Sequence, residues 1–205
     1  SSLRLLQSST SKLIVPSAPR LMGVGGEASI NGNASLLPIE TIGIVGAGQM
    51  GLGIAVVAAQ QAKCRVLLVD QNEAVLDKAL LFADKLFAKQ VSKGSLTTDA
   101  ADEARARLLQ TTSLDTLREA DFVIEAAPEK LEIKRSIFEQ LARITRPEVV
   151  LASNTSSISM TKIASFTDRA DKVIGMHFMN PVPVMKLIEL ITGLETSEQT
   201  LEQTV

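Results

Sequence analysis

Residues 41–51 read TIGIVGAGQMG and form the stretch that decides the fold. The apolar run TIGIV is typical of a buried strand. The glycines after it follow the spacing G-x-G-x-x-G, in which Gly46 allows a tight turn, Gly48 leaves room for a pyrophosphate and Gly51 lets the next helix pack closely. The sequence therefore predicts a strand, a turn and a helix around a dinucleotide. The predicted cofactor-binding residues of this turn are Gly46, Gly48, Gln49, Met50 and Gly51.

A second buried strand, CRVLLVD, ends in Asp70, nineteen residues beyond Gly51. An acid at that position hydrogen-bonds the adenosine ribose hydroxyls, and its charge disfavours a 2′-phosphate. Since Gln71 and Asn72 follow in place of an arginine, the sequence favours NAD over NADP. The alternatives are that Asp70 is a helix N-cap or loop residue and that the glycines form a structural turn.

Strands and helices alternate along the rest of the chain. A long amphipathic helix begins near Glu73 and is expected to end at Lys93-Gly94, and the following helix is expected to have Thr98 or Asp99 as its N-cap. The further predicted strands are a short one near residues 109–112, DFVIEAA, VVLAS, KVIGMHF and KLIELIT. This alternation predicts an α/β protein with a Rossmann-like, doubly wound, mostly parallel sheet and helices on both faces.

Composition excludes several functional classes. The 205 residues carry a formal net charge of −2 and contain neither Tyr nor Trp, which argues against nucleic-acid binding. One cysteine and one histidine cannot supply an intrachain disulfide or a structural zinc site, so we expect no metal. No apolar run is long enough to span a membrane.

Residues 1–38 differ in composition from the remainder. Up to residue 26 they contain Arg4, Lys12 and Arg20, several serines and no acid, a bias typical of an organelle transit peptide. We therefore interpret residues 1–38 as leader and linker and residues 39–205 as the nucleotide-binding domain. The mitochondrial matrix is the expected location, with another organelle or the cytoplasm as alternatives. A disordered leader without an address is the other interpretation of this segment.

The run GMHFMNPVPVMKLIEL at residues 175–190 contains His177, the single histidine of the chain, and Glu189 twelve residues later. If the strands on either side form a hairpin centred on Pro183, the two side chains lie opposite each other. A carboxylate on one ring nitrogen would leave the other as a base. The alternative is a packed histidine beside an ordinary turn.

Four stretches together, GAGQMGLGIA, DFVIEAAPEKLEIK, LASNTSSISM and GMHFMNPVPVMKLIEL, resemble the NAD-binding domain of the L-3-hydroxyacyl-CoA dehydrogenases from about Ile42 to Thr192. The resemblance implies NAD-linked, reversible oxidation of a 3-hydroxyacyl-CoA, in fatty-acid β-oxidation or butanoate metabolism. It also implies a helical domain after the Rossmann-like one, through which the whole protein forms a homodimer and completes the acyl-CoA site.

The same resemblance assigns catalytic roles. His177 matches the family's base and Glu189 the carboxylate that orients it. Ser156 matches a serine that hydrogen-bonds the substrate's C3 oxygen. One of Ser156, Ser157 and Ser159 should also cap the next helix.

Binding roles follow in the same way. Glu129 and Lys134 match residues near the nicotinamide, although the pair could be surface charges, and Asn180 matches a cofactor-side asparagine or is a turn-former before Pro181. Lys93 matches a basic residue facing CoA, or provides helix C-terminal charge. Leu86 stands where the family often has a hydroxyl.

The chain ends at Val205, close to where the family's helical domain would begin. We therefore expect residues 1–205 to bind NAD, to turn over poorly and to expose apolar patches. Two alternatives keep the scaffold: an NAD-dependent dehydrogenase of another 3-hydroxy acid or sugar acid, and a non-catalytic NAD-binding or structural module.

Overall fold

The computed structural model describes residues 38–205, residue 36 and the backbone of residues 11–14. These residues contain an eight-stranded sheet in the order β4-β3-β2-β5-β6-β7-β8-β1. The strands are β1 (Ser11–Ile14), β2 (Thr41–Val45), β3 (Arg65–Val69), β4 (Leu108–Thr111), β5 (Phe122–Glu125), β6 (Val150–Ser153), β7 (Val173–Phe178) and β8 (Ile188–Thr192).

Six α-helices connect or follow these strands. They are α1 (Gln49–Val57), α2 (Glu73–Ser92), α3 (Thr98–Ala106), α4 (Leu131–Ile144), α5 (Met160–Ala164) and α6 (Glu198–Thr204). A π-helical turn over Ala58–Ala62 extends α1, and 3-10 turns cover Leu114–Glu119 and Ala170–Lys172.

The sheet is doubly wound, as the sequence predicts. Strands β4, β3, β2, β5, β6 and β7 are parallel, whereas β8 pairs antiparallel with β7 and β1 antiparallel with β8. The chain leaves β2 towards β3 on one side and returns to β5 on the other, so the strand order reverses between β2 and β5. In such sheets ligands bind at the carboxyl ends of the strands beside this reversal.

Two apolar layers cover the sheet. One face packs Ile44, Val66 and Ile124 with residues of α1, α2 and α3. The other face packs Leu67, Val123 and Leu151 with residues of α4 and α5. Neighbouring strand residues alternate between the two layers because successive side chains point to opposite faces.

The structure corrects one helix boundary and decides another. Thr97, and neither Thr98 nor Asp99, is the N-cap of α3, and its hydroxyl accepts a hydrogen bond from the Ala100 N–H at 3.2 Å. The cap of α5 is Ser159, which leaves Ser156 outside the helix. Helix α2 ends at Lys93-Gly94 as predicted, with Gly94 at a φ of +69°.

Strand β1 lies within the stretch interpreted as leader and linker. Its register places residue 13 opposite Glu189 of β8. Apart from the four residues of β1, the predicted transit peptide at residues 1–26 lies outside the described part of the chain. Within the described part of the chain, no helix combines the length and apolar character needed to cross a membrane.

Candidate active site

The glycine turn, residues 46–51, follows β2 and lies against the residues just after β5. Gly46 adopts a φ of +102°, and a Cβ there would lie 2.7 Å from the Ala126 carbonyl oxygen. A Cβ on Gly51 would overlap the carbonyl of Gly46, so the first turn of α1 packs directly on the glycine turn. A Cβ on Gly48 would meet nothing within 4 Å, and the φ of −67° at this position is one that any residue can adopt. Gly48 therefore borders open space.

Helix α1 presents its amino terminus to that space. Its N-cap is Gly48, with no side-chain cap and no acid in the first turn. Its first N–H groups thus remain available to phosphate oxygens, which the helix dipole also attracts.

Asp70 completes the turn at the end of β3. Its Oδ2 accepts a hydrogen bond from the Ala47 N–H at 2.9 Å, and its Oδ1 accepts one from the Asn72 N–H at 3.0 Å. The N-cap of α2 is Asn72, so Asp70 is not a helix cap. The open Gly48, the uncapped helix and this carboxylate fit a dinucleotide with a free ribose 2′-hydroxyl.

His177 and Glu189 lie opposite each other on β7 and β8, in the register that the hairpin centred on Pro183 predicts. His177 Nδ1 lies 2.9 Å from Glu189 Oε2. A carboxylate at that distance selects the tautomer in which Nδ1 carries the proton, and Nε2 then keeps its lone pair. The imidazole therefore has one ring nitrogen fixed and one able to accept a proton.

A cavity of ≈ 320 Å³ opens beside His177 at the carboxyl edge of the sheet. It brings five of the predicted site residues together. Its lining consists of Met50, Ala126, Ala127, Glu129, Asn154, Ser156, His177, Phe178, Met179 and Asn180. The predicted residues Lys93 and Asp70 lie outside this lining, since Lys93 ends α2 and is exposed, and Asp70 faces the glycine turn.

Glu129 holds the loop that carries Ser156. One carboxylate oxygen, Oε1, accepts hydrogen bonds from the Thr155 hydroxyl, the Ser156 N–H and the Ser157 hydroxyl. Partial burial acts to raise the pKa of Glu129, but the Thr155 hydrogen bond and the charge of Lys134 outweigh it, and that pKa lies below its ordinary value. Glu129 is therefore an ionised anchor for the loop.

Lys134 is a buried charge. Its side chain is 1% exposed, so the alternative of a surface pair with Glu129 is wrong. Its Nζ lies 2.7 Å from Glu125 Oε1 and 3.3 Å from Glu129 Oε2. Sequence reasoning missed Glu125, which is fully buried and also accepts hydrogen bonds from the Ser153 hydroxyl and the Ala127 N–H. An acid directly after the apolar residues FVI at 122–124 was the available signal.

The loop after His177 also contacts the glycine turn. The Asn180 side-chain oxygen accepts a hydrogen bond from Gln49 Nε2 at 3.1 Å. Two predicted cofactor residues thus meet, and this contact joins the start of α1 to the loop after β7.

A doubly wound sheet whose glycine turn leads into an uncapped helix is the arrangement of a dinucleotide-binding domain. The sequence profile of the family described as "3-hydroxyacyl-CoA dehydrogenase, NAD binding domain" matches residues 41–205. The chain belongs to this family, and its cofactor is NAD.

Individual relatives agree with this assignment. The chain is 46% identical over 164 residues to a 3-hydroxybutyryl-CoA dehydrogenase of Bradyrhizobium diazoefficiens, covering 80% of this chain and 56% of the relative. It is 35% identical to the human "Hydroxyacyl-coenzyme A dehydrogenase, mitochondrial", covering 90% of this chain and 60% of the relative.

A solved structure shares the fold. The (S)-3-hydroxybutyryl-CoA dehydrogenase of Ralstonia eutropha superimposes with a TM-score of 0.79 at 46% identity, covering 82% of this chain and 59% of that one. The chain thus spans about half the length of several curated relatives it matches.

Proposed function

We propose that the protein containing this chain oxidises a 3-hydroxyacyl-CoA to the 3-ketoacyl-CoA with NAD, reversibly. The observation that carries the proposal is the 2.9 Å contact between His177 and Glu189, beside a cavity that adjoins the glycine turn. The family assignment supports the same reaction.

The residues of this chain account for proton transfer. NAD, when bound, supplies the hydride acceptor. Nε2 of His177 takes the proton from the C3 hydroxyl, and Glu189 holds the ring and stabilises the imidazolium that forms. Ser156, exposed in the cavity lining, donates a hydrogen bond to the C3 oxygen. In the reductive direction His177 returns the proton.

The end of α2 supplies the contact to CoA. Exposed Lys93 at the end of α2 supplies a positive charge for a CoA phosphate. Leu86, at the position where the family often has a hydroxyl, packs against the apolar core. One polar contact to CoA is therefore replaced by packing.

Organisation and location complete the proposal. Residues 39–205 form the NAD-binding domain, whose sheet also includes β1 at residues 11–14, and residues 1–38 contain a leader that directs the protein to the mitochondrial matrix. The whole protein is a homodimer. The basic, serine-rich composition of residues 1–26 and the name of the human relative support the location.

The test is the loss of NADH absorbance with acetoacetyl-CoA, measured on the whole protein and its His177→Gln variant. We expect turnover by the wild type and a kcat lower by roughly 10²- to 10⁴-fold in the variant, because the base is removed. NADH affinity, measured by calorimetry, should stay within a few-fold. Turnover of sugar acids but not of acetoacetyl-CoA would indicate the alternative dehydrogenase, and NADH binding without turnover of either would indicate a binding module.

A further inference from the structure

Asn154 lies one residue beyond β6 and lines the cavity that contains His177. Its side-chain oxygen Oδ1 accepts a hydrogen bond from the Phe178 N–H at 2.8 Å. Its own N–H donates to the Glu125 carbonyl oxygen at 2.8 Å. Asn154 therefore connects the carboxyl ends of three strands, β5, β6 and β7.

The Phe178 N–H needs this partner because β6 ends before β7 does. The parallel pairing between the two strands stops at Ser153 and Gly175, whereas β7 continues to Phe178 with β8 alone beside it. Phe178 is buried, with 6% of its surface exposed. A buried N–H without a partner is unfavourable, and the amide oxygen of Asn154 takes the place of the missing strand acceptor.

That N–H belongs to the peptide that joins His177 to Phe178. The backbone of His177 is therefore held from the β6 side by Asn154, and its imidazole is held from the β8 side by Glu189. We propose that Asn154 is a positioning residue for His177, which fixes the strand end that carries the base. The inference rests on the proposed function, because it assigns His177 the proton transfer.

Two substitutions separate this role from a direct contact with cofactor or substrate. Asn154→Ala removes both the acceptor oxygen and the NH₂ donor, whereas Asn154→Asp keeps an acceptor at the same place and removes only the donor. Positioning requires the acceptor. A direct contact through the amide NH₂ requires the donor.

A matched control lies at the opposite edge of the sheet. Asp121, before β5, accepts hydrogen bonds through Oδ2 from the N–H groups of Glu40 and Thr41, at 3.0 Å and 2.9 Å. It too is a side-chain oxygen that holds the backbone of a neighbouring strand, but it stands at the amino ends of the strands. Asp121→Ala should lower thermal stability and leave kcat unchanged.

The experiment measures kcat, KM and amide hydrogen exchange in the whole protein. We expect Asn154→Ala to lower kcat by roughly 10- to 100-fold, since small displacements of a catalytic group have effects of that size. Its KM for NADH should stay within about threefold, and the Phe178 amide should exchange roughly tenfold faster. Asn154→Asp should keep the Phe178 amide protected and recover most of the lost kcat.

Several outcomes would overturn the proposal. They are an Asp variant as slow as the Ala variant, an unchanged Phe178 exchange rate in Asn154→Ala, or an equal loss of kcat in Asp121→Ala. Should the Ala variant not fold, the kcat of the Asp variant still decides. Because amide exchange needs no turnover, a wild type inactive on acetoacetyl-CoA would count against the proposed function alone.

Discussion

At the scale of single residues, the site depends on which atoms a carboxylate faces. Glu189 contacts Nδ1 of the only histidine in the chain, and this contact decides which ring nitrogen can accept a proton. Glu129 faces three donors of the Ser156 loop instead, and Glu125 faces a buried lysine. Three glutamates thus have three different roles because of their partners.

Glu189→Gln tests the first of these roles. The glutamine amide can donate to Nδ1, which moves the ring proton to Nε2 and removes the base. We expect kcat to fall by roughly 10²- to 10⁴-fold with little change in NADH affinity. The measurement is the acetoacetyl-CoA assay with calorimetry of NADH. The exposed Glu195→Gln is the control and should retain the wild-type kcat; a Glu189→Gln enzyme of normal kcat would contradict the assigned role.

The buried pair of Glu125 and Lys134 predicts a large effect on stability. Lys134→Met leaves a fully buried carboxylate without its counter-ion, so the free energy of unfolding should fall by about 3–5 kcal/mol. The double variant Lys134→Met/Glu125→Gln removes both charges and should recover most of that loss. Urea unfolding followed by circular dichroism measures both changes. If the double variant proved as unstable as the single one, charge imbalance would not be the cause.

At the scale of elements, the glycine turn must leave room for the pyrophosphate and must also let α1 pack closely. Substitutions can separate these two requirements. Gly48→Ala adds a methyl group in open space at a compatible φ, so stability should change by less than about 0.5 kcal/mol. The methyl group would occupy the path of the pyrophosphate, so NADH binding should weaken by at least roughly tenfold.

Gly51→Ala is the counterpart. Its Cβ would overlap the Gly46 carbonyl, so α1 must shift, and we expect a loss of roughly 1–3 kcal/mol in unfolding free energy. Thermal melting and NADH calorimetry of both variants provide the comparison. A Gly48→Ala protein that is unstable but still binds NADH would show that Gly48 is needed for packing and not for the pyrophosphate.

Asp121 joins the amino ends of β2 and β5. The stability that this junction contributes to the fold should depend on pH. Partial burial acts to raise the pKa of Asp121, but hydrogen bonds from the Thr41 N–H, Arg146 and the Glu40 N–H hold it below the ordinary 3.8. A lowered folded-state pKa stabilises the fold above the ordinary value, and this contribution is lost as pH falls through the folded-state pKa.

Asp121→Asn should therefore destabilise the protein by roughly 1 kcal/mol at pH 7. The difference from wild type should shrink as pH falls below 3.8. Thermal melts between pH 7 and pH 3 measure it, and a difference that stays constant over this range would show that the charge of Asp121 is not responsible.

Local sequence patterns predicted the contacts that form within one hairpin and missed those that cross the sheet. His177 and Glu189 are equidistant from Pro183, so the hairpin alone places them together. Asn154 and Phe178 meet only because β6 ends three residues short of β7, which depends on strand register. Lys134 shares the helical spacing of the buried Ile137, Phe138 and Leu141, but the sequence left open that it was a surface charge. Its ion-pair partner on β5, Glu125, was not predicted.

At the scale of the whole molecule, the carboxyl edge of the sheet lies open on the side of His177. The chain spans about half the length of several curated relatives. Large apolar side chains are exposed near β8, among them Val184 at 70% and Leu194 at 84%. Exposed apolar surface of this kind marks an interface or promotes association.

Residues 1–205 alone should therefore separate binding from catalysis. The glycine turn, Asp70 and α1 lie within the chain, so we expect NADH affinity within a few-fold of the whole protein. Turnover should fall by at least roughly 10²-fold, because water reaches the open cavity and the substrate lacks a wall. Calorimetry with NADH and the acetoacetyl-CoA assay measure the two quantities on the same preparation, and light scattering should show association that increases with concentration. Equal turnover by the chain and the whole protein would mean that His177, Glu189 and Ser156 suffice without a further domain.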